Sequence, residues 1–160
     1  MGEILTLAQA VERRQALAEQ GKTLVFTNGH FDLIHIGHLD YLEKARALGD
    51  ALYVGLNDDT STQRLKGPGR PLVPAEERAR LLAALVAVTA VIVFGEDTAD
   101  RLITALRPDV YAKGGDYATK FLPERAVVEA VHGRVELIEF LPNHSTTRLI
   151  QRIRALPEVP

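Results

Sequence analysis

No cysteine occurs among the 160 residues, so a disulfide framework, a thiolate zinc site and a cysteine nucleophile are all excluded. Nor is there an excess of positive charge: 19 Lys and Arg stand against 21 Asp and Glu, a formal charge of -2. A protein that grips polyanions through a basic face needs the opposite balance, so nucleic acid is not expected as a partner. Apolar runs long enough to span a membrane are missing, and Met1-Gly2-Glu3-Ile4-Leu5 has neither the basic start nor the long apolar core of a secretion signal. The expected setting is the cytoplasm, with no membrane partner. The P-loop and GxGxxG patterns are absent too, which removes the signatures of kinase-type NTPases and dinucleotide dehydrogenases.

What remains is ordinary globular material, 46% hydrophobic and 25% charged, at the size of one domain. A single domain over residues 1–160 is expected, with an N-terminal helix within 1–21 and a catalytic core over 22–155. Thr6 can cap the first helix, whose apolar positions Leu7, Ala10, Val11, Leu17 and Ala18 recur at helical spacing up to Gly21. Short apolar runs then alternate with helical patterns. Strands are expected at 23–27, 51–56, 90–94, 109–113 and 135–140, and helices at 37–48, 74–88, 98–106, 123–131 and 145–155. Such alternation predicts an α/β fold, a Rossmann-like open parallel sheet of five strands with helices on both faces.

In sheets of this kind ligands bind beyond the carboxyl ends of the strands, so the residues just after each strand carry the information. After the first strand comes Thr27-Asn28-Gly29-His30-Phe31-Asp32-Leu33-Ile34-His35-Ile36-Gly37-His38. A glycine turn lets backbone amides approach a phosphate, and the following helix offers its positive end. His35 and His38, three residues apart with Gly37 between them, could donate to one phosphate group. Zinc binding and a coincidental surface cluster are the rival readings, but no further ligand set is evident for a metal. The field at the helix end should keep His38 neutral, a hydrogen-bond donor more than a general acid.

The run His35-Ile36-Gly37-His38 resembles the HxGH signature of the cytidylyltransferase-like nucleotidyltransferases. Arg64-Leu65-Lys66-Gly67-Pro68-Gly69-Arg70-Pro71 and Lys113-Gly114-Gly115-Asp116-Tyr117 narrow the likeness to the adenylyltransferase domain that makes ADP-heptose from D-glycero-β-D-manno-heptose 1-phosphate. The resemblance runs from Leu5 to Arg154. It implies that His35, His38 and Lys66 act on the phosphates, and that Thr27, Asn28, Gly29, Phe31 and Gly37 frame the nucleotide pocket. Lys113, Gly114 and Asp116 would line the base, and Ser145, Thr146 and Thr147 would hold the outer phosphates. Asp59 and Arg78 would lie on the acceptor side.

The three hydroxyl residues also suit that role physically, because they open a helix and supply caps and amide donors together. The resemblance further implies Mg2+ carried mainly by the phosphates of ATP, with CTP as the alternative nucleotide, and no metal ligands from the protein. A homodimer and a separate sugar kinase in the same pathway are its implied partners. Two related enzymes remain open on the same residues, a glycerol-3-phosphate cytidylyltransferase and an FAD synthetase-like enzyme, as does a catalytically silent nucleotide-binding module.

Overall fold

The computed structural model describes residues 1–115 and 122–157; Asp116 and Tyr117 lie outside the described residues. Its strands are β1 (Glu3–Ile4), β2 (Leu24–Gly29), β3 (Ala51–Asn57), β4 (Ala90–Phe94), β5 (Val110–Gly114) and β6 (Arg134–Ile138). The helices are α1 (Leu7–Glu19), α2 (Ile36–Arg46), α3 (Asp59–Lys66), α4 (Ala75–Ala84), α5 (Asp100–Leu106), α6 (Arg125–Ala130) and α7 (Thr146–Arg154). All strand pairs are parallel, in the order β1-β4-β3-β2-β5-β6.

The five expected strands are present, and among the described residues the count is corrected to six by β1, which pairs with Ala90 and Val91 at the sheet edge. A two-residue strand is too short to show any period. Between the expected strand 51–56 and the expected helix 74–88 the structure adds a helix, α3, where none was expected.

Alternation along the central strands builds two cores. Val25, Leu52, Val54 and Val91 face one side, where Tyr41, Leu42 and Ala45 of α2 and Ala79, Leu82 and Ala83 of α4 cover them. Leu24, Phe26, Tyr53 and Ile92 face the other, against Ala10 of α1, Leu102, Ile103 and Leu106 of α5 and Val128 of α6. A strand buried on both faces needs apolar residues at every position, which is why β2 and β3 read as continuous apolar runs. Each fully buried Leu or Phe contributes about 1.5–3 kcal/mol.

The helix ends are set locally. Thr6 caps α1 through a reciprocal pair with Gln9: Gln9 N donates to Thr6 Oγ1 at 3.3 Å and Thr6 N to Gln9 Oε1 at 2.9 Å. Asp58 caps α3 through Ser61 N at 2.7 Å, and Ser145 caps α7 through Arg148 N at 3.2 Å. From β2 the chain runs outward through β3 to β4, which lies beside the first strand β1 at the edge, then returns to place β5 on the other side of β2. The crevice at this reversal, beyond the ends of β2 and β5, is where such folds hold ligands.

Candidate nucleotide site

A cavity of about 920 Å³ opens at this reversal. Its walls carry the loop after β2, the end of α3, the ends of β5 and β6, and the start of α7. Beneath it the floor is tied together by polar side chains. Asn28 Oδ1 accepts from Tyr111 Oη at 2.6 Å and from Lys113 Nζ at 3.1 Å, which joins β2 to β5. The hydroxyls of Thr27 and Tyr41 lie 2.6 Å apart, and Tyr41 also donates to the Ala112 carbonyl at 2.9 Å. Burial raises the Tyr41 hydroxyl pKa, with the Thr27 hydrogen bond opposing it, so this hydroxyl stays protonated.

Above the floor the chain turns sharply at Phe31, whose φ is +44°. The turn folds the ring back under Gly29, where a Cβ would come within 3.1 Å of it, and tilts it against His38 at 5.2 Å between centroids. A side chain at position 29 would need the Phe31 ring to give by a few tenths of an ångström. His35 caps α2: its Nδ1 accepts from the Gly37 amide at 3.1 Å. The accepting nitrogen carries no hydrogen, so in the neutral ring Nε2–H is the donor. The His35 and His38 rings stack at 3.9 Å with 19° between their planes.

Both rings are held neutral. Burial lowers the His38 pKa to about 4, His35 adds to the lowering, and the Leu33 backbone opposes it. The His35 value is lowered by burial first and by His144 second. The neutral His38 expected from the helix-end field is therefore reached chiefly through burial. His30, whose Nδ1 lies 3.0 Å from Thr62 Oγ1, reports the field of the whole crevice. Its pKa is lowered to about 4 by burial and then by Lys66, Arg78, Lys113 and Arg70. Three of these cations, Lys66, Arg70 and Lys113, line the cavity and offer donors to an anion, although Arg70 is paired with Asp32 and Lys113 with Glu124.

With this geometry in view, the sequence profile of the cytidylyltransferase-like family matches residues 26–152. The chain belongs to the cytidylyltransferase-like family. It is 54% identical over 143 residues to the bifunctional protein HldE of Syntrophotalea carbinolica, covering 89% of this chain and 28% of that protein. The HldE of Citrifermentans bemidjiense is 52% identical over 147 residues, covering 92% of this chain and 30% of its own. The chain therefore spans less than a third of these relatives' length. Among solved structures, a lipopolysaccharide core biosynthesis protein from Thermoplasma volcanium superposes with a TM-score of 0.61 at 27% identity, over 76% of this chain and 98% of that one. A pantoate-β-alanine ligase from Francisella tularensis shares the fold, at a TM-score of 0.59 and 12% identity, over 96% of this chain and 77% of that one.

In this member of the cytidylyltransferase-like family, most residues expected at the site meet in one place. His35, His38, Lys66, Asn28, Gly29, Phe31, Gly37, Lys113, Gly114, Ser145, Thr146 and Thr147 all line the cavity. Thr27 sits in the floor, fully buried. At the start of α7 the Ser145 hydroxyl is taken by Arg148 N, while the first-turn amides of Thr146 and Thr147 have no intrahelical carbonyl to reach. Arg148, the cation nearest that run, has its guanidinium on the Asn143 side chain.

Two residues expected on the acceptor side lie elsewhere than the main cavity. Arg78 is fully buried: Nε donates to Val73 O at 2.8 Å, Nη1 to His30 O at 2.6 Å and Asn57 O at 2.9 Å, and Nη2 to Asp59 Oδ1 at 2.7 Å. It binds the loops after β2 and β3 and the start of α4 into one piece, with four of its five donors engaged and the side chain buried away from the cavity lining. Asp59 also accepts from Ala75 N at 2.8 Å and lines a second hollow of about 300 Å³ with Thr60, Gln63, Arg70 and Leu72.

Asp32 had drawn no role from sequence. Buried at the cavity wall, it accepts from Leu72 N at 2.8 Å and Val73 N at 2.9 Å, with Arg70 Nε 2.6 Å from its other oxygen. It pins the segment that carries Arg70 across the crevice. An acid inside the signature loop, two residues after His30, was the available signal. Tyr41 and Tyr111 were hidden because they fit an apolar pattern; Glu124, buried in the cavity wall 3.4 Å from Lys113 Nζ, was hidden because nothing in its sequence neighbourhood distinguishes it from a surface acid.

Proposed function

We propose that this chain transfers a nucleoside monophosphate from an NTP, ATP by preference, to the phosphate of a sugar phosphate, releasing pyrophosphate. The observation that carries this reading is the His35–His38 stack. Its rings are neutral, His35 is locked by the Gly37 amide, and the pair lines the same cavity as Lys66, Arg70 and Lys113. Neutral donors aimed at a phosphate stabilise charge as it develops without moving a proton, and in phosphoryl-type transfer that work dominates. An oxygen of the acceptor phosphate attacks the α-phosphorus, the bond to the β-phosphate oxygen breaks, and the leaving pyrophosphate keeps that electron pair. His35 Nε2 and His38 would meet the phosphate oxygens, Lys66 would neutralise the leaving group, and the amides of Thr146 and Thr147 would hold its far end. Lys113 and Gly114 would line the nucleoside side.

Magnesium enters this reading with the nucleotide. Among the described residues no group of three or more His, Asp or Glu side chains could hold a metal ion. The imidazole, ammonium and guanidinium groups of the crevice suit phosphate oxygens, while two of its carboxylates, Asp32 and Glu124, are already paired with Arg70 and Lys113. We therefore assign no step to a resident metal.

The acceptor would approach from the smaller hollow, where Asp59, Thr60 and Gln63 offer polar groups to a polyol and Arg70 stands between the two spaces. Heptose 1-phosphate is the acceptor that the resemblance of the signature segments favours. A kinase acting on the sugar beforehand, a homodimer and a cytoplasmic setting belong to the same proposal; no helix among the described residues is long and apolar enough to cross a membrane.

The test is pyrophosphate release with ATP or CTP, each offered heptose 1-phosphate, glycerol 3-phosphate or FMN. Release with ATP and heptose 1-phosphate alone supports the full reading. Release with another pair keeps the reaction and replaces the substrates. Nucleotide binding with no release from any pair would overturn the enzymatic reading in favour of a silent nucleotide-binding module.

A further inference from the structure

His144 lines the cavity one residue before the cap of α7, and the reaction outlined above leaves it without a role. Its own segment fixes which nitrogen carries hydrogen. Nδ1 lies 2.7 Å from the Pro142 carbonyl oxygen, an atom that offers lone pairs alone, so Nδ1 donates. Nε2 of the neutral ring is then an acceptor. This is the opposite of His35, whose Nδ1 accepts from an amide. The two residues are neighbours across Gly37: a Cβ there would stand 3.1 Å from His144 Cβ and 3.1 Å from His35 Cε1.

An acceptor nitrogen among phosphate oxygens is repelled, whereas the same nitrogen protonated becomes a donor and a cation. His144 lies where the N-termini of α2 and α7 approach each other, and their positive ends draw an anion to its side. The side chain is exposed, so it exchanges protons freely with water. Across Gly37 it acts on His35, on which His38 stacks; Asp40, three residues past Gly37 on α2, is paired with Lys44 at 2.8 Å. On α7 the Arg148 guanidinium is held by Asn143.

We propose that His144 takes up a proton from solvent when the triphosphate binds, Nε2 changing from acceptor to phosphate donor, so that nucleotide affinity in this chain follows pH through His144. This rests on the nucleotide-site reading above. A group whose bound-state pKa exceeds its free value adds affinity below that pKa and loses it as pH rises through it.

The experiment is calorimetric titration of the whole chain with α,β-methylene-ATP at saturating magnesium, in buffers of different ionisation enthalpy, at several pH values from 6 to 8. The wild type should take up part of a proton near neutrality, and its Kd should rise about fivefold or more over the range. His144→Gln should abolish the uptake and flatten the profile. His144→Lys, charged throughout, should keep tight binding at the alkaline end. Uptake in His144→Gln equal to wild type, or wild-type binding with no uptake, would overturn the proposal while leaving the site intact. No binding of the analogue to the wild type would overturn the site reading and the proposal together.

Discussion

Arg78 permits the most exacting test, because its worth can be divided between charge and hydrogen bonding. Its partner Asp59 is half exposed, and an ion pair in that setting contributes about 1 kcal/mol or less. The carbonyls of Val73, His30 and Asn57 are a different matter. Each receives a guanidinium hydrogen bond inside the protein, and a buried acceptor stripped of its donor costs about 1–3 kcal/mol. A lysine at 78 keeps the charge but cannot reach three carbonyls fixed around a planar fork. Arg78→Lys should therefore lose about 2–4 kcal/mol through one or two orphaned carbonyls, and Asp59→Asn about 1 kcal/mol or less.

In urea unfolding, with a slope of about 2 kcal/mol/M, the midpoint should fall by about 1–2 M for Arg78→Lys and by under about 0.5 M for Asp59→Asn. Turnover of Arg78→Lys should fall in parallel, because the His30 and Asn57 backbone it holds belongs to the cavity wall. Equal losses in the two variants would refute the reasoning, since charge would then outweigh the carbonyls.

Other outcomes follow from the same geometry. His38→Ala should lower kcat by about 100-fold or more, the scale for one preorganised donor, with a smaller change in nucleotide affinity in a steady-state and binding comparison. His30 and His38 fold with pKa values near 4, below the ordinary 6.5. Their neutral forms support the fold fully above about pH 6.5, and that support fades as pH falls toward 4, so the melting temperature should decline across this window. A double variant, His30→Gln with His38→Gln, should show a weaker decline. Gly37→Ala would place a methyl 3.1 Å from both His144 Cβ and the His35 ring, so it should disturb the imidazole pair and cut turnover about tenfold or more while shifting stability by under about 1 kcal/mol, read by kinetics beside melting.

The central strands were legible because both of their faces are buried, which leaves an unbroken apolar signal in Leu24–Phe26 and Ala51–Leu56. Helix α3 was not, because its inward residues are Ser61 and Thr62 rather than an apolar stripe, although Asp58 at its cap was a readable start. The edge strand β1 owes its existence to tertiary pairing, with Leu5 N donating to Val91 O at 2.9 Å, and no local pattern foretells that. The histidine loop could be placed from its glycines and its position after a strand. The inward turn of Arg78 could not, since a charged residue on an amphipathic helix reads as solvated until the carbonyls that need it are seen.

The bridge from Asn28 to Tyr111 and Lys113 has a wider meaning. Residues up to Phe94 supply His35, His38 and Lys66, and residues from Asp100 onward supply Lys113 and the start of α7. Cut in the connection between them, neither fragment would own a complete pocket, and mixing the two would restore one only where β5 zips against β2. The arrangement is in effect a two-part lock, and turnover would register the moment its halves meet.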